Sequence, residues 1–117
     1  MAITSEIIGK LGGGADMEIV PVDVTASGGM GSEEVFHTVA VPEGETWLAV
    51  VYGNLQSSAT GANSAQLIIG TTELPRNANN GIYGLAHIGT GTINVKLRRN
   101  RTTFSDSFSG HVYTVKL

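Results

Sequence analysis

The chain has 117 residues, 41% hydrophobic and 15% charged, with 16 glycines, no cysteine and a formal net charge of −3. That length makes a single domain, the hydrophobic share is too high for a disordered chain, and the lack of cysteine excludes disulfides and thiol chemistry. The charge is unevenly placed: residues 1–45 carry eight acids and one base, Lys10, whereas residues 76–117 carry six bases and one acid, Asp106. Either the acidic and basic strands become neighbours inside one fold, or an acidic face of one subunit meets a basic face of the next.

The head of the chain, Ala2 to Leu11, places Ile3, Ile7 and Leu11 at i, i+4 and i+8 with Ile8 beside them, one apolar stripe of a short helix. Thr4 or Ser5 can cap its start, and Gly9 weakens it by about 1 kcal/mol relative to Ala. A helix of about ten residues is marginal alone in water, so the stripe needs a surface, either its own body or a neighbour. Gly12-Gly13-Gly14 supplies reach without direction, which favours the neighbour and divides the chain into an arm, 1–14, and a body, 15–117. No basic n-region precedes the segment, and Glu6 and Lys10 interrupt it, so a secretory signal is not expected. The longest apolar run, Trp47 to Tyr52, is too short to span a membrane.

The body reads as strands. Met17 to Val24 alternates, with Val20, Val22 and Val24 on one side, and Pro21 points to a sheet edge. A Gly/Ser loop, Ala26 to Ser32, leads to Glu34–Val41, where Val35, Val39 and Val41 share one face and Phe36, Thr38 and Ala40 the other. Pro42-Glu43-Gly44-Glu45 is a tight turn into Thr46–Leu55. That strand is apolar on both faces: Trp47, Ala49, Val51 and Leu55 on one, Leu48, Val50 and Tyr52 on the other. A strand with one wet face should alternate, so this one is expected to be covered twice, by the opposing sheet and by the arm or another subunit. Ala65–Thr72 is the next strand. Asn80-Gly81 is a hairpin signal, Ile82–Ile88 a weaker strand broken by Gly84, and Arg99-Asn100-Arg101 a hairpin tip. Thr92–Arg98 turns Ile93, Val95 and Leu97 inward and Asn94, Lys96 and Arg98 outward. The last strand, His111–Leu117, carries Tyr113, Val115 and Leu117 on one face. The expected fold is all-β, an antiparallel β-sandwich of jelly-roll type with a short N-terminal arm or helix.

Sites of chemistry are not expected. His37, His87 and His111 lie on different strands without ligand spacing, and Asp16, Glu18 and Asp23 match no calcium loop. Ser105-Asp106-Ser107 with His111 has the residue types of a hydrolase triad but lacks the nucleophile turn. Gly28-Gly29-Met30-Gly31 opens no helix, so it is no phosphate cradle. Lys96, Arg98, Arg99 and Arg101 form a basic ribbon with only Phe104 nearby, too little charge and stacking for nucleic acid, and read as a solvated hairpin or a subunit contact. No catalytic residue, cofactor or metal is assigned. The candidate interface residues are Ile3, Ile7, Ile8, Leu11, Trp47, Leu48, Val50, Tyr52, Arg98, Arg99 and Arg101.

Three stretches carry a resemblance: Ser5-Glu6-Ile7-Ile8-Gly9-Lys10-Leu11-Gly12-Gly13, then Val41-Pro42-Glu43-Gly44-Glu45-Thr46-Trp47-Leu48-Ala49-Val50-Val51, and Gly110-His111-Val112-Tyr113-Thr114-Val115-Lys116-Leu117. Together they resemble small virion structural proteins of tailed bacteriophages, the minor tail and capsid decoration proteins. The resemblance implies a protein without enzymatic activity, oligomeric and often trimeric, held on a virion by contacts with capsid or tail proteins and assembled in the host cytoplasm. Neither nucleic acid nor membrane is an expected partner. The alternative is a carbohydrate-binding host-recognition module, with Asn54, Gln56, Asn63, Asn77, Asn79 and Asn80 as hydrogen-bonding groups and Tyr83 as the loop-proximal aromatic. A chain without cysteine suits assembly in a reducing cytosol.

Overall fold

The structure is a computed structural model that describes residues 17–57, 65–75, 80–100 and 105–117. It has eight strands: β1 (Met17–Thr25), β2 (Glu33–Ala40), β3 (Trp47–Ser57), β4 (Ala65–Ile69), β5 (Thr72–Glu73), β6 (Gly81–Gly89), β7 (Thr92–Arg99) and β8 (Asp106–Lys116). They form two four-stranded sheets, β1-β8-β3-β6 and β2-β7-β4-β5. The pairs β1–β8, β2–β7, β3–β6 and β4–β5 are all antiparallel. The chain is therefore folded in half and the doubled ribbon rolled into two layers, which is jelly-roll topology.

In this nesting, only the β4–β5 link joins two neighbours within one sheet. Gly70, at φ +59°, makes that turn, so the predicted strand 65–72 is cut in two. The other links cross between sheets. Asn80-Gly81 is thus no hairpin turn. The Asn80 side chain instead accepts the Ser57 N–H at 2.9 Å and donates to the Ser57 carbonyl at 2.8 Å, stitching the start of β6 to the end of β3. Arg99 likewise belongs to β7, ahead of a crossing rather than at a hairpin tip. The Pro42–Glu45 turn is as expected: the Glu45 N–H donates to the Pro42 carbonyl at 3.0 Å and Gly44 has φ +83°, the position a type II turn reserves for glycine.

The core is built from alternation. Val22 and Val24 on β1, Ala49, Val51 and Leu55 on β3, and Phe108 and Val112 on β8 face Leu67 and Ile69 on β4 and Ile93, Val95 and Leu97 on β7. Fully burying such side chains is worth about 1.5–3 kcal/mol each. One face assignment is corrected by a bulge. Val35 and Phe36 together oppose Lys96, which shifts the register of β2. Phe36 turns into the core, its ring 5.8 Å from that of Phe108, and Val35 is left 49% exposed. An extra residue in one strand reverses the side on which its neighbours stand.

Two glycines fix the closest approach in the first sheet. Gly53 and Gly110 face each other across β3 and β8. A Cβ on either would lie 2.6 Å from the other's Cα and would also meet a backbone carbonyl, of Ser109 or of Tyr52. Gly84, in contrast, does not break β6, which runs through it without interruption. The Tyr52 ring lies over it, in contact range of where a Cβ would stand, and supplies the packing the glycine lacks.

Candidate functional site

The outward face of the first sheet can be followed in rows that run across its four strands. The register aligns Met17, Val115, Leu48 and Ile88 in the first row, then Ile19, Tyr113, Val50 and Ala86. The third row is Pro21, His111, Tyr52 and Gly84, and the fourth Asp23, Ser109, Asn54 and Ile82. The first two rows form an apolar band lying across the strands. Polar groups enter only in the third and fourth, with His111, Asp23, Ser109 and Asn54.

On the two central strands exposure changes steeply down these rows, whereas on the edge strands Ile88 and Ile19, in the first and second rows, are already 36% and 49% exposed. Leu48 and Val115 are 1% and 0% exposed although they point away from the core. Val50 and Tyr113 are half-buried. Tyr52 and Ile82, lower on the same face, are 50% and 65% exposed. The doubly apolar strand expected from the sequence is thus covered on its outer side at Leu48 and open at Tyr52. Trp47 stands on the inner side of β3, packed against the core, with its Nε1–H donating to Glu45 Oε1 at 2.8 Å. It lines the mouth between the sheets with Glu18, Val20, His37, Val39 and Thr114, so it is separated from Leu48, Val50 and Tyr52.

The outward face of the second sheet has a different chemistry. Arg98 on β7 binds Glu33 on β2 at 2.7 Å and Glu73 on β5 at 3.1 Å, and its Nη1 reaches Gln66 Oε1 on β4 at 3.4 Å. One guanidinium therefore ties all four strands. Lys96 adds a second contact to Glu33 at 3.2 Å, and Thr38 donates to Asn94 Oδ1 at 3.1 Å. The hydrogen bonds from Arg98 and Lys96 hold the Glu33 carboxyl below its ordinary pKa of 4.5, and the same carboxylates raise that of Arg98. Glu33 comes from the acidic part of the chain and Lys96 and Arg98 from the basic part. For these residues, and for Lys116 with Glu45 at 3.7 Å, the charge asymmetry resolves within the protomer.

Arg99 points to one end of the sandwich. Its Nε lies 3.6 Å from Oδ2 of the fully buried Asp106 carboxylate, and its Nη1 donates to the Gly28 carbonyl at 3.1 Å. Backbone bonds from the Gly31 N–H to the Arg99 carbonyl and from the Arg99 N–H to the Ser32 carbonyl complete a clasp on the loop between β1 and β2. A cleft of about 360 Å³ opens beside it, with Thr25, Gln56, Ser57, Ser105, Asp106 and Ser107 on its walls. On β8 Asp106 points to the opposite side from Ser107 and His111. Ser107 and His111 are four residues apart along the strand, about 13 Å, so no triad assembles from these three.

The other candidates singled out in the sequence lie apart from one another. His37 lies at the mouth between the sheets, the His87 ring fits beside Gly70 and Gly89, and His111 stands on the outward face near Tyr113, ring centroids 6.2 Å apart. Among the described residues no group of three or more His, Cys, Asp or Glu could hold a metal ion, and no helix is long and apolar enough to cross a membrane. Tyr83 is half-buried and packed against the core, so the exposed aromatic near the polar groups is Tyr52 instead. Ile3, Ile7, Ile8, Leu11, the glycine run, Asn63, Asn77, Asn79 and Arg101 lie outside the described residues. No family model, curated protein or solved structure matches the chain.

Proposed function

We propose that the chain is a virion structural protein of a tailed bacteriophage, an oligomeric jelly-roll subunit attached to capsid or tail through protein–protein contacts. One observation carries the contact-making part of this reading: the outward face of β1-β8-β3-β6 carries the large apolar side chains Ile19, Tyr52, Ile82 and Ile88, exposed by 49%, 50%, 65% and 36%. Large side chains grouped on one exposed face mark an interaction surface, whereas scattered ones do not. The virion assignment rests on the sequence resemblance at the head, middle and end of the chain. Density-gradient sedimentation of particles from an infected culture, probed with an antibody to this chain, tests it. The chain is expected to travel with assembled particles, and recovery only from the soluble fraction contradicts the proposal.

A second reading, carbohydrate binding, is supported by Tyr52. Its ring is half exposed, rests over Gly84 and has His111 beside it and Asn54 in the next row, an aromatic platform edged by hydrogen-bonding groups. Binding of labelled host polysaccharides that is lost in Tyr52→Ala favours this reading. Equal binding by both proteins, or none, removes it.

A further inference from the structure

We propose that the mouth between the two sheets is a binding pocket for the alkylammonium end of a lysine side chain presented by a partner protein. The pocket stands apart from the outward face of the first sheet and does not depend on the virion reading. It lies where the edge strands β1 and β2 approach each other, and it opens as a cleft of about 170 Å³. That is close to the roughly 150 Å³ of an apolar cavity that admits one benzene molecule. Glu18 and Val20 of β1, His37 and Val39 of β2, Trp47 of β3 and Thr114 of β8 line it.

Register sets three of these side chains together. Thr114 is the direct cross-strand partner of Glu18, and Trp47 opposes Lys116, two positions further along β8. Direct partners have Cβ atoms about 4.5–5.5 Å apart and diagonal ones lie about 7–8 Å apart, within reach of an aromatic ring. Each of the three has binding capacity left over. Thr114 is 6% exposed and, among the described residues, its hydroxyl has no hydrogen-bond partner, although buried hydroxyls usually have one. The Glu18 carboxylate makes no ion pair or hydrogen bond among those residues. Trp47 uses its only side-chain donor on Glu45 at 2.8 Å, so its ring offers the cleft apolar, electron-rich surface.

Charge selects the ligand. Glu18 is the formally charged group that lines the cleft, while the nearby Lys116 ammonium is drawn to Glu45 at 3.7 Å. A carboxylate, an unpartnered hydroxyl oxygen and an indole ring together fit a primary ammonium. Its N–H groups donate to the two oxygens, and the ring attracts the cation. The methylene stem of a lysine then packs along Val20, Val39 and the indole, and an anion in the same place is repelled by Glu18.

The chain has one tryptophan, so its fluorescence reports on this cleft, and the amide NMR signals of Val20 and Thr114 give a second readout. The probes are two blocked tripeptides, acetyl-Gly-Lys-Gly-amide and the same peptide with norleucine, an uncharged side chain of similar length, in place of lysine. The lysine peptide is expected to bind saturably and the norleucine peptide about tenfold more weakly. Glu18→Gln and Thr114→Val should each weaken the lysine peptide about fivefold to tenfold. Glu43→Gln, exposed in the neighbouring turn and outside the cleft, should leave it unchanged. Should Thr114→Val fail to fold, Glu18→Gln decides, because it changes an exposed side chain. Equal affinity for the two peptides, or no response in either readout, overturns the proposal. So does an equal loss in Glu43→Gln and Glu18→Gln, which would mean attraction by overall charge. Butylammonium bound more tightly than the lysine peptide would assign the cleft to free amines and overturn the protein partner.

Discussion

The two outward faces of this sandwich solve the problem of a wet sheet in opposite ways. On the second sheet, Arg98 reaches Glu33, Gln66 and Glu73 and makes a charged lattice that holds four strands and keeps that face in water. On the first sheet, the corresponding surface carries Met17, Val115, Leu48, Ile88, Ile19, Val50 and Tyr113, and no salt bridge among the described residues lies on its first two rows. Both faces are equally well formed as β-sheet. The difference lies in what each presents: the polar face pairs its charges within one protomer, and the apolar face leaves Ile19, Tyr52, Ile82 and Ile88 exposed.

Substitutions on the two faces should therefore differ in kind as well as size. The largest effect is expected from Leu48→Asp, which puts an unpaired carboxylate where a side chain is 1% exposed. A loss of about 3 kcal/mol or more, measured by urea unfolding, is the expected outcome, and a loss below 1 kcal/mol would mean that this end of the face is open. Gly110→Ala should follow closely, at about 2–4 kcal/mol, because its Cβ has no space between β8 and the Gly53 backbone. A neutral Gly110→Ala would show that the two strands can separate at little cost.

On the polar face the effects should be smaller. Arg98→Ala removes contacts to three strands, but its side chain keeps 27% exposure, so about 1–2 kcal/mol is expected, reduced by added salt. Glu33→Gln should cost a few tenths to about 1 kcal/mol near neutral pH. Its pH dependence has a definite sign. The folded-state pKa lies below 4.5 while the unfolded chain keeps the ordinary value, so this contribution is present above that value and is lost as pH falls through the folded pKa. The stability gap between the native protein and Glu33→Gln should accordingly close on acidification below about pH 4.5. A gap that widens in acid would contradict the hydrogen-bonded Glu33.

Much of the sandwich is legible in the residues themselves. The alternation of Ile93, Val95 and Leu97 with Asn94, Lys96 and Arg98 states both the strand and its orientation, and Pro21 sits on an edge strand because it cannot donate to a second neighbour. Other features depend on partners far along the chain. Asn80-Gly81 has the composition of a hairpin turn, but jelly-roll nesting sends its flanking strands to different sheets, and no local pattern reveals that. The bulge at Val35–Phe36 follows from how β2 meets β7, and Gly84 stays in its strand, paired with β3 and with the Tyr52 ring over it. The same holds for function. The basic ribbon is visible around Arg98, yet its neutralisation by Glu33 is a contact across 65 positions. The two apolar sides of Trp47–Leu55 are plain in the sequence, but the gradient from covered Leu48 to open Tyr52 comes from the assembled sheet.

Whether the first sheet's outward face is the assembly surface is decided by the native mass of three proteins: the unmodified chain, Tyr52→Glu and Arg98→Ala. An oligomer, a trimer, is expected for the unmodified chain and for Arg98→Ala. A folded monomer is expected for Tyr52→Glu, whose stability should shift by no more than about 0.5 kcal/mol, as for other exposed positions. A monomeric unmodified chain, or an oligomer that survives Tyr52→Glu and dissociates in Arg98→Ala, would contradict an assembly surface on this sheet.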